Sequence, residues 1–219
     1  ISQATHYCWR KNMDLVGLGA DALETIPVDD RIRMDTGALA ERLEECIDNR
    51  QPVLGVVSIV GTTEEGAIDP LHEIEALQTE MRQRDPGLAF WHHCDAAFGG
   101  FFASMMPKDD AGRFLPPDVL ADHPDAPTDL LPHDDLDALT AMASGFDGFL
   151  GQWTLEGSRP GAAAVSCYLS QEMVPLTPEG HGRFMRGCIE TNRRLFSALR
   201  DRFAGEASEL QLVPFHEPE

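Results

Sequence analysis

The strongest constraint on the fold is the stretch from Val53 to Val60, a nearly continuous apolar and β-branched run. Such a run lacks the in-out alternation of a half-exposed strand, so it predicts a strand covered on both faces, as in a parallel sheet packed between helices. A second run, Leu88 to Cys94, predicts another. Between them Asp69-Pro70 has the favoured order of cap then first-turn proline, and Ile74, Leu77 and Met81 continue at helical spacing. Upstream, Leu23 to Val28 reads as a short strand, and Thr36 to Arg50 as a helix with Asp35 as its N-cap and Leu39, Leu43 and Ile47 on its apolar face. Alternation of this kind predicts β-α-β units, hence an α/β fold with a mostly parallel sheet flanked by helices. Ligands of open α/β sheets gather beyond the carboxyl ends of the strands, so Thr62-Thr63 and Asp95 are expected to face one site.

Farther along, Met105 to Asp135 is rich in proline and aspartate without a sustained period and reads as a long surface insertion. Leu136 to Ala143 and Pro160 to Val174 read as helices, Gly182 to Phe203 as a long amphipathic one, and Leu210 to Phe215 as a strand. A chain of 219 residues can bury a substantial core. No run approaches the roughly 20 apolar residues of a membrane span, and Ile1 to His6 lacks a secretory pattern, so a soluble protein is expected. The net charge of −20 disfavours nucleic acid as a partner. Five cysteines, Cys8, Cys46, Cys94, Cys167 and Cys188, are scattered without CxxC pairs, which argues against a disulfide framework or zinc ribbon and fits a reducing cytoplasm.

Three segments carry the chemistry: Ser2-Gln3-Ala4-Thr5-His6-Tyr7-Cys8-Trp9-Arg10-Lys11, Val56 through Gly61-Thr62-Thr63-Glu64-Glu65-Gly66 to Pro70, and His93-Cys94-Asp95-Ala96-Ala97-Phe98-Gly99-Gly100. In order and spacing they resemble the group II pyridoxal-phosphate-dependent amino-acid decarboxylases, which act on glutamate, aspartate, tyrosine and aromatic amino acids. Leu155 to Gly161 is similar to the bacterial tyrosine-decarboxylase-like branch. The resemblance implies the large domain of the PLP-dependent transferase fold type I, the aspartate-aminotransferase-like fold, here incomplete. Residues 1–178 would be part of that domain, and 179–219 a linker helix and the start of a C-terminal small domain. It also implies an amino-acid substrate, pyridoxal 5'-phosphate as cofactor and a homodimer.

The implied roles are physically sensible. The cofactor is an electron sink only while its ring nitrogen stays protonated, and a carboxylate beside that nitrogen stabilises the cation. Asp95, ending a buried strand, takes that role. Ala97 is expected to pack on one ring face, His6 to stack on the other and meet the substrate carboxylate, and Thr63 to place its hydroxyl near the ring's phenolic oxygen. Taken singly, Asp95 would read as a helix N-cap, Thr62-Thr63 as a turn, and His6 as a surface histidine; the motifs reverse those readings. His92, His93 and Cys94 do not make a zinc site, because successive strand residues point to opposite faces. Cys94 is expected to pack rather than react, and Glu64-Glu65 to be solvated loop carboxylates.

The family's Schiff-base lysine has no counterpart. Lys11 and Lys108 are the only lysines, and Lys108 lies too close to Asp95 in sequence to match. Gly148-Phe149-Leu150-Gly151 runs almost directly into the segment Leu155 to Gly161, as though a block were absent. The expectation is that these residues are the ordered part of a longer polypeptide that carries the lysine. The alternative is a non-catalytic homologue acting as a dimerising or regulatory protein.

Overall fold

The computed structural model describes residues 1–88, 90–110, 114–115, 117–120, 123–131, 133–144 and 161–203. Helix α1 spans Cys8–Leu15. Helix α2, Thr36–Asp48, begins where Asp35 accepts the Ala38 N–H at 3.0 Å, which satisfies one of the amides that a helix start leaves unpaired. It stops before Arg50, whose φ of 53° no helix tolerates. Leu39, Leu43 and Cys46 form its buried face.

Strands β1, Gly55–Ile59, and β2, Trp91–Asp95, pair in parallel, with Gly55 opposite Trp91 and Ile59 opposite Asp95. The crossover between them is helix α3, Leu71–Arg84. One core gathers Met34, Leu39, Leu43, Val56, Ile74, Met81 and Phe90 between α2, α3 and the sheet. Burial of such side chains stabilises by about 1.5–3 kcal/mol each. Helix α4 is Pro117–Leu120 and α5 is His133–Ser144; α6, Gly161–Met173, and α7, His181–Phe203, complete the described elements. Helix α7 starts against the 3-10 segment Gly99–Met105, so tightly that a Cβ on Gly182 would lie 2.6 Å from the Ser104 carbonyl oxygen. No helix among the described residues is long and apolar enough to cross a membrane.

Three expectations need correction. Residues 23–28 are extended but make only isolated bridges, Ser2 with Ile26 and Val28 with Met34; Pro27 between them has no N–H to give a ladder. The stretch 105–135 is not a surface insertion: Met106, Leu120, Ala126 and Leu130 are buried. With the exception of Leu130, these join Val60, Ile68, Leu71, Leu136 and Leu139 in a second core. Leu120 ends the four-residue helix α4 and the others lie in bends and turns, so together they show no helix or strand period. Nor does Asp69 cap α3. Its carboxylate, fully buried, accepts the Met34 N–H and the Ile59 N–H, each at 2.7 Å, and so ties the end of β1 to the chain ahead of α2. The segments 155–160 and 210–215 lie outside the described residues.

Burial pushes the Asp69 carboxyl up from 3.8 to about 6, against the two amides that favour its charge. A carboxyl raised in the folded state contributes stability that is full at low pH and lost as pH rises from about 4 through 6, roughly 3 kcal/mol in all. Asp69→Asn removes this term and turns an NH2 toward one of the two amide donors, at a cost of about 1–3 kcal/mol. Denaturant midpoints measured between pH 4 and 7 should therefore show the variant less stable, with the gap narrowing as pH rises; a gap constant across that range would contradict the assignment.

Candidate active site

Where β1 and β2 end, their loops are locked together by backbone. The Val60 N–H donates to the Asp95 carbonyl at 2.9 Å, and the Gly99 N–H returns to the Val60 carbonyl at 2.9 Å. Gly61, at φ +81°, sits so near Gly99 that a Cβ on it would lie 2.9 Å from the Gly99 Cα, and a Cβ on Gly99 would meet the Val60 oxygen at 2.4 Å. Glycine is required on both sides of this contact. The loop carrying Thr62 and Thr63 is thereby fixed beside the one carrying Asp95 and Ala97.

Within the first loop the two threonines differ. Thr62 is buried, donating its hydroxyl to Glu65 Oε2 at 2.9 Å and accepting the Ala67 N–H at 3.1 Å. Thr63 is exposed at the surface of the same turn. Glu65 is thus partly spent on shaping the loop, while Glu64 is exposed.

Asp95 closes β2, half-buried. Its Oδ1 accepts the Ala97 N–H at 3.3 Å, and its Oδ2 accepts the indole N–H of Trp9 at 2.7 Å. Trp9 also meets the His93 ring edge-on, with centroids 5.5 Å apart. These contacts bring the amino-terminal segment to the carboxyl end of the sheet. His6 lies one turn ahead, its carbonyl accepting the Trp9 N–H at 3.2 Å. Its ring is partly exposed, with Nδ1 accepting the Cys8 N–H at 3.3 Å and the ring tilted against Tyr7. Among the described residues no hydrogen bond or ring contact joins His6 to Asp95. Ala97 is exposed, presenting a methyl group and no bulk.

The other face of β2 differs in chemistry. His92 turns inward, with Nε2 2.6 Å from the fully buried Ser58 hydroxyl. Burial, and then His93, lowers its pKa to about 4, so it is neutral. Burial, and then the Asp95 charge, raises the Cys94 thiol to about 12. Cys94 packs against the second core. Lys108 lies over the Phe114 ring at 4.5 Å. Beside Trp9 and His93 opens a hollow of about 640 Å³, bounded also by Met13, Leu43, Val57 and Trp91; His6, Thr63, Asp95 and Ala97 do not line it.

Residues 1–112 match the model of the pyridoxal-dependent decarboxylase conserved domain. The chain belongs to this family. It is 28% identical to the L-tyrosine decarboxylase of Enterococcus faecium over 269 aligned positions, covering all of this chain and 44% of that protein. To the L-tyrosine decarboxylase of Levilactobacillus brevis it is 27% identical, with coverage of 100% and 43%. The chain thus spans under half the length of these relatives. An alignment of 269 positions exceeds the 219 residues here, so the enterococcal relative has residues without counterparts in this chain. A crystal structure of mouse CSAD overlays 98% of this chain and 46% of its own length with a TM-score of 0.61 at 22% identity, a likeness of fold. The α/β architecture of fold type I with a parallel sheet, expected from the sequence, is the one this family chain has.

Trp9, Gly61 with Gly99, and Ser58 with His92 were not singled out by sequence reasoning. Trp9 sat in plain view three residues after His6, but nothing local indicates that its indole reaches a residue 86 positions away.

Two outcomes check this geometry. Gly99→Ala should cost about 1–3 kcal/mol, lowering the thermal midpoint by roughly 2–10 °C. An unchanged midpoint would mean that the two loops are not in contact. At pH 8, iodoacetamide should alkylate the exposed Cys167 and Cys188 while leaving Cys94 unmodified until denaturant is added; peptide mapping of the labelled sites reads this directly.

Proposed function

We propose that the polypeptide to which these residues belong decarboxylates an L-amino acid to its amine with pyridoxal 5'-phosphate as cofactor. The observation that carries this reading is the Asp95 carboxylate at the carboxyl end of β2, accepting an N–H from an aromatic ring at 2.7 Å. A protonated pyridine ring offers the same kind of donor, so the acceptor present fits the group that the family's name implies. Bound there, the cofactor supplies an electron sink for the bond to the departing carboxylate.

The chain's own residues then have distinct tasks. Asp95 keeps the proton on the ring nitrogen by placing negative charge beside it. Ala97, exposed and small, leaves room for a flat ring to approach the backbone. His6 supplies an imidazole for the opposite face and for the substrate carboxylate, and Thr63 a hydroxyl for the ring's phenolic oxygen. The Gly61–Gly99 contact sets the spacing of the Thr63 and Asp95 loops. The lysine that links the cofactor is neither Lys11, on exposed α1, nor Lys108, held over Phe114, and is assigned to the part of the polypeptide outside this chain.

Tyrosine or another aromatic amino acid is the favoured substrate, supported by the names of the relatives aligned over the whole chain, with glutamate and aspartate as the competing class. Residues 1–178 are assigned to the large, cofactor-binding domain and 179–219 to a linker helix and the start of a small domain. A cytoplasmic homodimer fits the scattered free cysteines and the family's habit. A non-catalytic role finds no support among relatives that carry decarboxylase names.

Asp95→Asn in the full-length enzyme should lower carbon dioxide release from its substrate by at least about 10²-fold with the circular-dichroism spectrum unchanged. Activity within a few-fold of the parent would sink the reading.

A further inference from the structure

We propose that Trp9 is a positioning residue for Asp95: its indole N–H anchors one carboxylate oxygen so that the other stays aimed at the ring nitrogen of the cofactor. The inference rests on the role given to Asp95 above and extends it to Trp9, a residue of the first motif to which the resemblance assigns no role.

The geometry is specific. The 2.7 Å contact from Trp9 Nε1 to Asp95 Oδ2 is a short hydrogen bond to a carboxylate, whereas the Ala97 amide reaches Oδ1 at a longer 3.3 Å. Indole is a donor only, so it cannot compete for the proton that Asp95 must leave on its partner. Its orientation is set from two directions. Trp9 stands in the first turn of α1, and its ring meets His93 at 65° between planes, on the same face of β2 as Asp95. A carboxylate offers about four lone-pair positions, and these two N–H groups use two, so the oxygens retain capacity for a ring N–H without displacing the indole. Among the described residues, the long Ala97 contact is the one other hydrogen bond to this half-exposed carboxylate, so without Trp9 it is more free to turn toward water.

The test uses the full-length enzyme loaded with pyridoxal 5'-phosphate labelled with nitrogen-15 in the ring. Trp9→Phe keeps an aromatic ring beside His93 and removes the donor together with the smaller ring of the indole. The expected result is about tenfold weaker cofactor binding, equivalent to 1.4 kcal/mol, together with a downfield move of the ring-nitrogen resonance at neutral pH, toward that of an unprotonated ring. Asp95→Asn, as control, should give the larger change in the same resonance. Should Trp9→Phe leave binding and resonance at parental values while Asp95→Asn moves them, the Trp9 role is overturned and the Asp95 role stands. Should Asp95→Asn also leave the resonance in place, the Asp95 role itself fails, and the proposal with it. If Trp9→Phe does not fold, the Trp9 indole proton resonance decides: it should move upfield in Asp95→Asn, and an unmoved signal would overturn the contact.

Discussion

Two backbone hydrogen bonds at the carboxyl ends of the strands, Val60 to Asp95 and Gly99 to Val60, hold the rest of the site in place. They are possible because glycines at 61 and 99 let two chain segments approach closer than any side chain permits. Strand pairing alone would leave the loops beyond β1 and β2 to wander, since a parallel ladder ends where its amides run out. The glycine contact extends the ladder's order by several residues, into the segments that carry Thr63 and Ala97. Ordering this backbone costs of order 1–2 kcal/mol per residue; Val60 and Ala96 pack into the second core, whereas Thr63 and Ala97 stay exposed. Such an expense is sustained where position matters more than stability.

Asp69 braces the same place from beneath. Its carboxylate takes the Ile59 and Met34 amides, and its own N–H goes to the Ile59 carbonyl at 2.9 Å. One buried side chain therefore joins the last residue of β1 to the segments before α2 and α3, around the first core. An apolar residue of equal size would leave two buried amides unpaired, each at a cost of about 1–3 kcal/mol. A buried acid is the less expensive solution even with its pKa lifted.

Much of this was legible in the sequence. The run from Val53 to Val60 announced a strand, the Asp35 cap marked the start of α2, and three motifs in order pointed to the family; the expected cover on both faces is incomplete, with Val57 half-buried in β1 and Trp91 and His93 exposed in β2. What escaped detection shares a physical cause. Asp69-Pro70 has the local form of a helix start, and only tertiary contact reveals that its carboxylate is needed elsewhere. The buried residues of 105–135 lie in bends and turns and at the end of the four-residue helix α4, and so produce no period. Trp9 and Asp95 meet through a fold that brings distant segments together, a relation that local pattern cannot encode. Conversely, the meeting of the Thr62-Thr63 and Asp95 loops at one end of the sheet was expected from topology, because parallel strands deliver their following loops to one edge; His6 follows no strand and was placed by its motif alone.

The two faces of β2 show how one short strand separates packing from chemistry. Alternation sends His92 and Cys94 inward, where burial holds the imidazole neutral, at a pKa of about 4, and the thiol protonated, at about 12. Neither charges near neutral pH, so neither disturbs the field around its neighbours. His93 and Asp95 turn to the opposite face, where Trp9 meets the ring of one edge-on and hydrogen-bonds the other. A carboxylate that must remain charged gains from neighbours that stay neutral within the core and from donors that carry no removable proton near pH 7. The strand meets both conditions within five residues, and a one-residue slip in its register would exchange the two faces and bury Asp95 among the core side chains.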